Sequence, residues 1–350
     1  MNDIVPIKLK GRLLRPHKAI VGPLLSSRTV LTRSPWEFVG LWLKKENQSN
    51  ALFYWDQARE FHHASLGLRT QSAPLLHYYS FMNAVKALLT AKKFPFNESH
   101  GVKSYNMRNL KSKISITNEG VKIKKDGILP ALSAYLGEDE NTNTHSLQEL
   151  LFNLPCIHRT YCLTYPSQTG MFIPVKDCKY VVNKSTKKAS FRATLSEDYS
   201  NMHIVKRMPP AFALDSKEEG VIKIKSTEEV DFSRPKTPTE SDLNNLKVLH
   251  RKLRVSLFYI NGTQTLWYLR VNTSGPRILY RFTPTITLAA MHRLSELCRY
   301  KPLELTSFFS NQKNWLLSEF IQQAPEQFLD EIASEITGYQ FLVPNVRGAN

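Results

Sequence analysis

The chain has 350 residues, with 47 lysine and arginine side chains against 30 acidic ones, a formal net charge of +17 and 42% hydrophobic content. This is a globular composition and excludes a disordered chain, while the length admits two domains or one large one. The positive excess favours polyanionic partners, RNA or DNA first among them, although a basic surface also serves plain solubility.

Residues 1–33 are basic and broken by Pro6, Pro16, Gly22 and Pro23, so they read as an N-terminal arm lying extended over a neighbouring surface. The opening MNDIVPIKLKGR lacks the apolar core of a signal peptide, which predicts a cytoplasmic protein without membrane association. Ser34, Pro35, Trp36 and Glu37 spell a capping box with proline at the first helical position. From Ala51 to Leu68, the spacing of Leu52, Trp55, Ala58 and Phe61 predicts an amphipathic helix. His62 and His63 on it point about 100° apart and read as surface or interface positions rather than a shared metal site.

The stretch from Pro74 to Lys92 is apolar on nearly every side and is predicted as the central buried helix. Ser72 offers a capping hydroxyl, Pro74 suits the first turn, and Lys92 and Lys93 suit the C-terminal end. Tyr79, Asn83, Lys86 and Thr90 recur at helical spacing and form one polar stripe. Inside a core such a stripe either closes a hydrogen-bond network or lines a ligand cavity, because unpaired buried polar groups are costly.

His100 follows on a polar loop, where functional side chains concentrate. ISIT and VKIK, joined by Asn118, Glu119 and Gly120, predict a hairpin, and SLQELLFNL a short helix. Tyr161 to Ile224 reads as β-rich, 226–241 as a long loop or linker, and SDLNNLKVLHRKL as a helix. Asn261-Gly262 between two apolar runs predicts a hairpin with a type I′ turn. Pro284 opens a helix from Thr285 to Arg299 that Pro302 breaks, and two further helices are predicted on either side of Pro325, ending near Gly338. Cys156, Cys162, Cys178 and Cys298 form no CxxC pair and suit a reducing compartment. With His158 they match no ordinary zinc module, so neither a metal nor a cofactor is expected.

The predicted fold class is α+β: a helical bundle formed by N- and C-terminal helices around the central buried helix, with a β-rich middle region. The boundaries run as a helical region 34–100, a β-rich region 101–282, and C-terminal helices 283–340 that pack back on the first.

Three pieces, LLHYYSFMNAVKALL, SHGV from Ser99, and LSELCRYKP from Leu294 to Pro302, together resemble the YaaC-like family of intracellular bacterial proteins. The likeness spans roughly Trp36 to Gly338 and implies a relation of fold, since that family has no settled activity. The first two pieces also look like the nucleotide-binding helical domains called HEPN, many of which are ribonucleases of toxin and defence systems. The HEPN motif is an arginine and a histidine separated by four to six intervening residues near a helix end. The one such pair here is Arg12 and His17, with Pro16 between them in the arm, which departs from that pattern.

Arg299, Tyr300, Lys301 and Pro302 are accounted for by a helix end that attracts a cation and stops at proline. An inward Arg299 would instead offer a guanidinium fork to a phosphate. The candidate site is therefore His100 and Arg299 as catalytic residues, with Tyr79, Asn83, Lys86 and Tyr300 as ligand contacts. The first functional expectation is a non-enzymatic protein that binds nucleic acid or nucleotides. The alternatives are a HEPN-like, metal-independent ribonuclease with His100 as general acid or base, and a scaffold with protein partners.

Overall fold

The structure is a computed structural model that describes residues 3–109, 112–272, 278–310 and 314–344. It divides into two compact units, Met1–Leu31 with Gly170–Ser274 and Gly338–Asn350, and Thr32–Thr169 with Gly275–Thr337. In chain order come β1 (Ile4–Pro6), β2 (Lys8–Leu9), β3 (Arg12–Leu13) and β4 (Val30–Leu31), then α1 (Pro35–Lys45), α2 (Ser49–Ser65) and α3 (Ala73–Ala91). β5 (Val102–Asn106), β6 (Glu119–Ile123), α4 (Ile128–Leu136), β7 (Thr144–Ser146), α5 (Leu147–Phe152) and α6 (His158–Thr164) follow. Next are β8 (Phe172–Asn183), β9 (Lys188–Leu195), α7 (Met202–Lys206), β10 (Phe212–Glu218), β11 (Val221–Ser226), β12 (Val230–Asp231) and α8 (Glu240–Leu253). The chain continues with β13 (Leu257–Ile260), β14 (Leu266–Arg270), α9 (Thr283–Tyr300), α10 (Pro302–Phe309), α11 (Asn314–Thr337) and β15 (Phe341–Leu342). No described helix is long and apolar enough to cross a membrane.

The first unit is built on an antiparallel sheet of eight strands, in the order β10-β11-β9-β8-β14-β13, with β1 paired to β8 and β12 to β9. Alternation assigns its faces: along β9, Ala189, Phe191, Ala193 and Leu195 enter the core while Arg192 and Thr194 do not. Leu246, Leu249 and Leu253, one stripe of α8, lie in the same core as Tyr180, Val182, Ile222 and Ile224. Asp242 caps α8 by accepting from the Thr239 backbone N–H at 2.9 Å.

This sheet corrects the expected architecture. The protein is α+β, but its largest assembly is the eight-stranded sheet rather than a helical bundle formed by terminal helices around a central one. Periodicity marked residues 74–92 as buried without saying what encloses them, and pairings such as Ile4 with Asn183, or Val30 with Phe341, leave no local trace in a sequence. Nor do residues 3–31 lie as an arm over a neighbouring surface. Ile7, Leu14 and Leu25 belong to the core of this unit.

A buried polar cluster ties that segment down. Arg254, 2% exposed, donates to the carbonyls of His17, Lys18 and Leu257 at 2.8, 2.6 and 2.9 Å. The Lys18 ammonium reaches Asn261 Oδ1 at 2.8 Å and the Phe341 carbonyl at 2.6 Å. His250 donates from Nε2 to the Ala19 carbonyl and accepts at Nδ1 from the Tyr180 hydroxyl, both at 2.9 Å. Asn261 thus serves Lys18 instead of a type I′ turn. β13 and β14 pair from Ile260 with Leu266, so five residues separate the strands, and neither Asn261 nor Gly262 takes the positive φ such a turn requires.

In the second unit α3 packs against α2, α9 and α11. Its Phe81 stacks on Phe328 with centroids 4.2 Å apart, and Trp55 of α2 donates from its indole to the Trp36 carbonyl at 2.9 Å. Ser34 caps α1 as expected from its neighbours, accepting from the Glu37 N–H at 3.2 Å, whereas Ser72 makes no side-chain cap at α3. The expected hairpin of 114–124 is absent from the described structure: β6 pairs instead with β5 and β7. Pro325 lies inside α11 without dividing it. A proline in a helix interior removes one backbone bond, a cost that buried packing can outweigh, and Phe320, Ala324 and Phe328 around it are all in the core.

Candidate functional site

The candidate residues all fall in the second unit, on α3, on the loop after it and at the end of α9. The stripe expected to be buried is mostly at an edge: Tyr79, Lys86 and Thr90 are half-buried. Asn83 is the buried member, 3% exposed, and its amide donates to the Tyr79 carbonyl one turn back at 3.0 Å. Asn83 therefore does not face an open cavity through that amide.

Arg299, in the last turn of α9, is exposed. Its guanidinium donates to the Tyr79 hydroxyl at 2.6 Å and to the Tyr300 hydroxyl at 3.1 Å. It also lies 5.8 and 5.3 Å from the centroids of those two rings, within cation–π range. Phe61 of α2 stacks on Tyr79 at 5.4 Å and so supports the bracing ring from beneath. The guanidinium makes no ion pair among the described residues.

His100 is held by its backbone and by its ring. Leu129 donates to its carbonyl at 3.3 Å, and Ser99 and Gly101 on either side accept from Ile128 and Lys124 at 2.8 Å each. Gly101 and Gly127 touch backbone to backbone at positive φ, where a Cβ on either would collide with the other, so only glycine permits this approach. The His100 ring stacks on Tyr78 with centroids 5.5 Å apart, and its Nδ1 is hydrogen-bonded to the Tyr78 hydroxyl. Burial raises the Tyr78 phenol above its ordinary range, so it remains protonated and acts as the donor. The His100 proton in the neutral ring is then on Nε2.

Partial burial, and then the charges of Arg299, Lys86 and Lys124, lower the His100 pKa. Three cations, on α3, on α9 and just after β6, thus act on one imidazole. His292 of α9 completes the group: its ring meets Tyr78 edge-on at 5.0 Å and His100 at 5.9 Å. Burial first, then His100 and Arg293, push His292 down to about 3, so it is neutral. Lys86 lies 5.2 Å from the Tyr54 ring, whose hydroxyl donates to Glu98 at 3.2 Å.

Of the expected residues, Arg299 is joined directly to Tyr79 and Tyr300, His100 is linked to Arg299 and Lys86 by charge, and Asn83 is separated from them by burial. Sequence reasoning missed Tyr78, His292, Lys124 and Tyr54. Tyr78 lay in view beside Tyr79, and the missing clue was that it is the buried one of the pair, 2% exposed.

Elsewhere the readings need correction. Of the two adjacent histidines His63 is exposed, as expected, whereas His62 is 8% exposed and with His77 and Pro325 lines a cavity of about 250 Å³. Arg12 and His17 form no HEPN-like motif. Arg12, on β3, donates to the Ser26 and Ser27 carbonyls at 2.8 and 2.9 Å, and His17 is buried in the first unit. No metal-binding group of three or more His, Cys, Asp or Glu side chains occurs among the described residues.

Neither the curated proteins nor the solved structures contain a match to this chain. Among protein families, the one described as YaaC-like Protein matches residues 26–336, which takes in α1 to α10 and nearly all of α11. By that match the chain belongs to the YaaC-like family.

Proposed function

We propose that the protein binds nucleic acid or nucleotides and takes a phosphate at Arg299. The observation that carries this reading is an exposed guanidinium braced by two tyrosines and lacking a carboxylate partner among the described residues. Its remaining N–H groups are free to form a fork on a phosphate, the geometry for which arginine is suited. Tyr300, 67% exposed, offers a ring on which a base can stack, and the Nε2–H of His100 is a further donor beside the positive charges of Lys86 and Lys124. The overall charge of +17 supports the same class of partner.

The test is fluorescence anisotropy with a labelled RNA and a labelled adenine nucleotide, comparing the wild type with Arg299→Ala. The variant is expected to melt at the wild-type midpoint and to lose about tenfold or more in affinity for at least one probe. Equal affinities for both probes would end the proposal.

One observation favours a second reading, a metal-independent ribonuclease of HEPN-like type. The Tyr78 to His100 hydrogen bond fixes the imidazole within the charge field of Arg299 and leaves Nε2 as the ring nitrogen through which a proton would have to be exchanged. RNA cleavage that persists in chelator and disappears in His100→Ala would establish it, and intact RNA after prolonged incubation would exclude it. If neither binding nor cleavage occurs, the scaffold reading remains.

A further inference from the structure

The solvent face of the eight-stranded sheet carries a charge arrangement that folding does not require. Lys179 on β8 stands directly opposite Arg192 on β9, and Lys225 on β11 stands opposite the same Arg192 from the other side. In the next outward-facing row, Lys176 and Lys223 flank Thr194 in the same way. The intervening positions, Tyr180, Phe191, Ala193 and Ile224, are core residues, so the five cations share the outer face. Strands lie about 4.8 Å apart, which sets Lys179 and Lys225 about 10 Å apart at their Cα atoms.

Like charges directly opposite one another destabilise a sheet. Lysines on an edge strand repay this by blocking aggregation, but β8, β9 and β11 are all interior to the strand order. Solubility requires charge on a surface and has no use for this registry.

Neutralisation is incomplete. Arg192 pairs with Asp215 at 3.0 Å, Lys223 with Glu218 at 3.0 Å and Lys176 with Glu197 at 3.1 Å. Both glutamates are more than half exposed, so these two pairs are weak and easily exchanged for another anion. Lys179 and Lys225 make no ion pair among the described residues. Asp177 and Asp215 both stand at irregularities in the strand pairing, outside the rows. A cavity of about 290 Å³ opens over the rows, lined by Lys179, Arg192, Thr194 and Lys223 with these two aspartates.

We infer that this face binds the phosphodiester backbone of nucleic acid without reading its sequence. The cavity offers ammonium and guanidinium groups and a hydroxyl, with the carboxylates of Asp177 and Asp215 beside them, and no aromatic ring lines it. Such a surface holds phosphates and has nothing on which to stack or distinguish bases. It lies in a different unit from Arg299 and stands independently of that site.

The experiment measures binding of the full chain to two short labelled RNAs of unrelated sequence, between about 50 and 200 mM salt. The variants are Lys179→Gln with Lys225→Gln, the same pair changed to Arg, and Arg299→Ala. For the glutamine pair, the plot of log K against log salt should become shallower by about 1.4, two released counterions at about 0.7 each for a single strand. Its affinity at the low-salt end should fall about tenfold or more, equally for both RNAs. The arginine pair should bind as wild type, and Arg299→Ala should leave the slope contribution of the two lysines intact. An unchanged slope in the glutamine pair would overturn the inference, as would a loss confined to one RNA. A loss seen only with anionic vesicles or polyglutamate would overturn it in favour of a membrane or an acidic protein.

Discussion

The Tyr78 hydroxyl donates a hydrogen bond to Nδ1 of His100, and the two rings stack with their planes 17° apart. A donor at Nδ1 stabilises the neutral imidazole, because the protonated ring would carry its own proton there. Tyr78→Phe should therefore raise the His100 titration midpoint, as followed by the imidazole resonances in NMR. Arg299→Ala should raise it as well, by removing a neighbouring positive charge. A midpoint that falls or stays fixed in Tyr78→Phe would mean that the hydrogen bond does not set the tautomer.

Much of the second unit was legible in sequence, because its signals are local. The Ser34 cap, the apolar spacing of α2 and the continuous hydrophobicity of α3 each depend on residues within a few turns. In the first unit the β-rich run up to Ile224 and the hairpin of β13 and β14 were legible, but β1 and β12 fell in segments read as an arm and a linker, and the assembly left no local trace, since its pairings join residues as distant as Ile4 and Asn183. Proline was overread at Pro325, where core contacts hold one helix through it, and Asn-Gly was overread at Asn261, where the side chain is committed to Lys18. Helical spacing put Tyr79, Asn83 and Lys86 on one stripe. It could not tell that the stripe lies at the boundary of the core, with Asn83 inside and the others half outside.

That distinction predicts the effect of Asn83→Leu. The Asn83 amide donates to a helix carbonyl that the backbone can also serve, so its loss leaves no acceptor stranded. The stability change should be within about 1 kcal/mol, the scale of one net hydrogen bond. Chemical denaturation of the variant checks it. A loss of about 3 kcal/mol would mean that Asn83 closes a wider network than its bond to Tyr79.

Arg254 predicts the opposite behaviour. Its guanidinium is buried and holds three carbonyls, two of them on the segment that carries His17 and Lys18. Arg254→Met keeps some of the volume but leaves those carbonyls without their charged donor. Hydrogen bonds to charged groups contribute about 1.5–3 kcal/mol each, so a loss of about 3 kcal/mol or more is expected in urea denaturation. A near-neutral result would show that the segment is held by its apolar contacts, Ile7, Leu14 and Leu25, alone.

Acid should weaken the same unit before its carboxylates titrate. His250 is fully buried and pushed down to about 3 by burial and by Arg254, and His17 is lowered by burial and by His250. In the unfolded chain both would titrate near the ordinary histidine value of about 6.5. Above that pH neither state is protonated and stability is at its full value. As pH falls below it, the unfolded chain takes up protons that the folded one refuses, so stability is lost at up to about 1.4 kcal/mol per pH unit for each histidine. The loss continues until the folded pKa is reached, which for His250 is about 3. Among the described residues Trp267 is the one tryptophan of this unit, and its ring lies 5.4 Å from Arg254. Fluorotryptophan NMR at Trp267, with urea titrations at several pH values, should show a midpoint that is flat above about pH 7 and falls steadily below it. A midpoint that stays level down to about pH 5 would mean that His250 and His17 are protonated in the folded state, and that the hydrogen bond assigned to Tyr180 and His250 runs the other way.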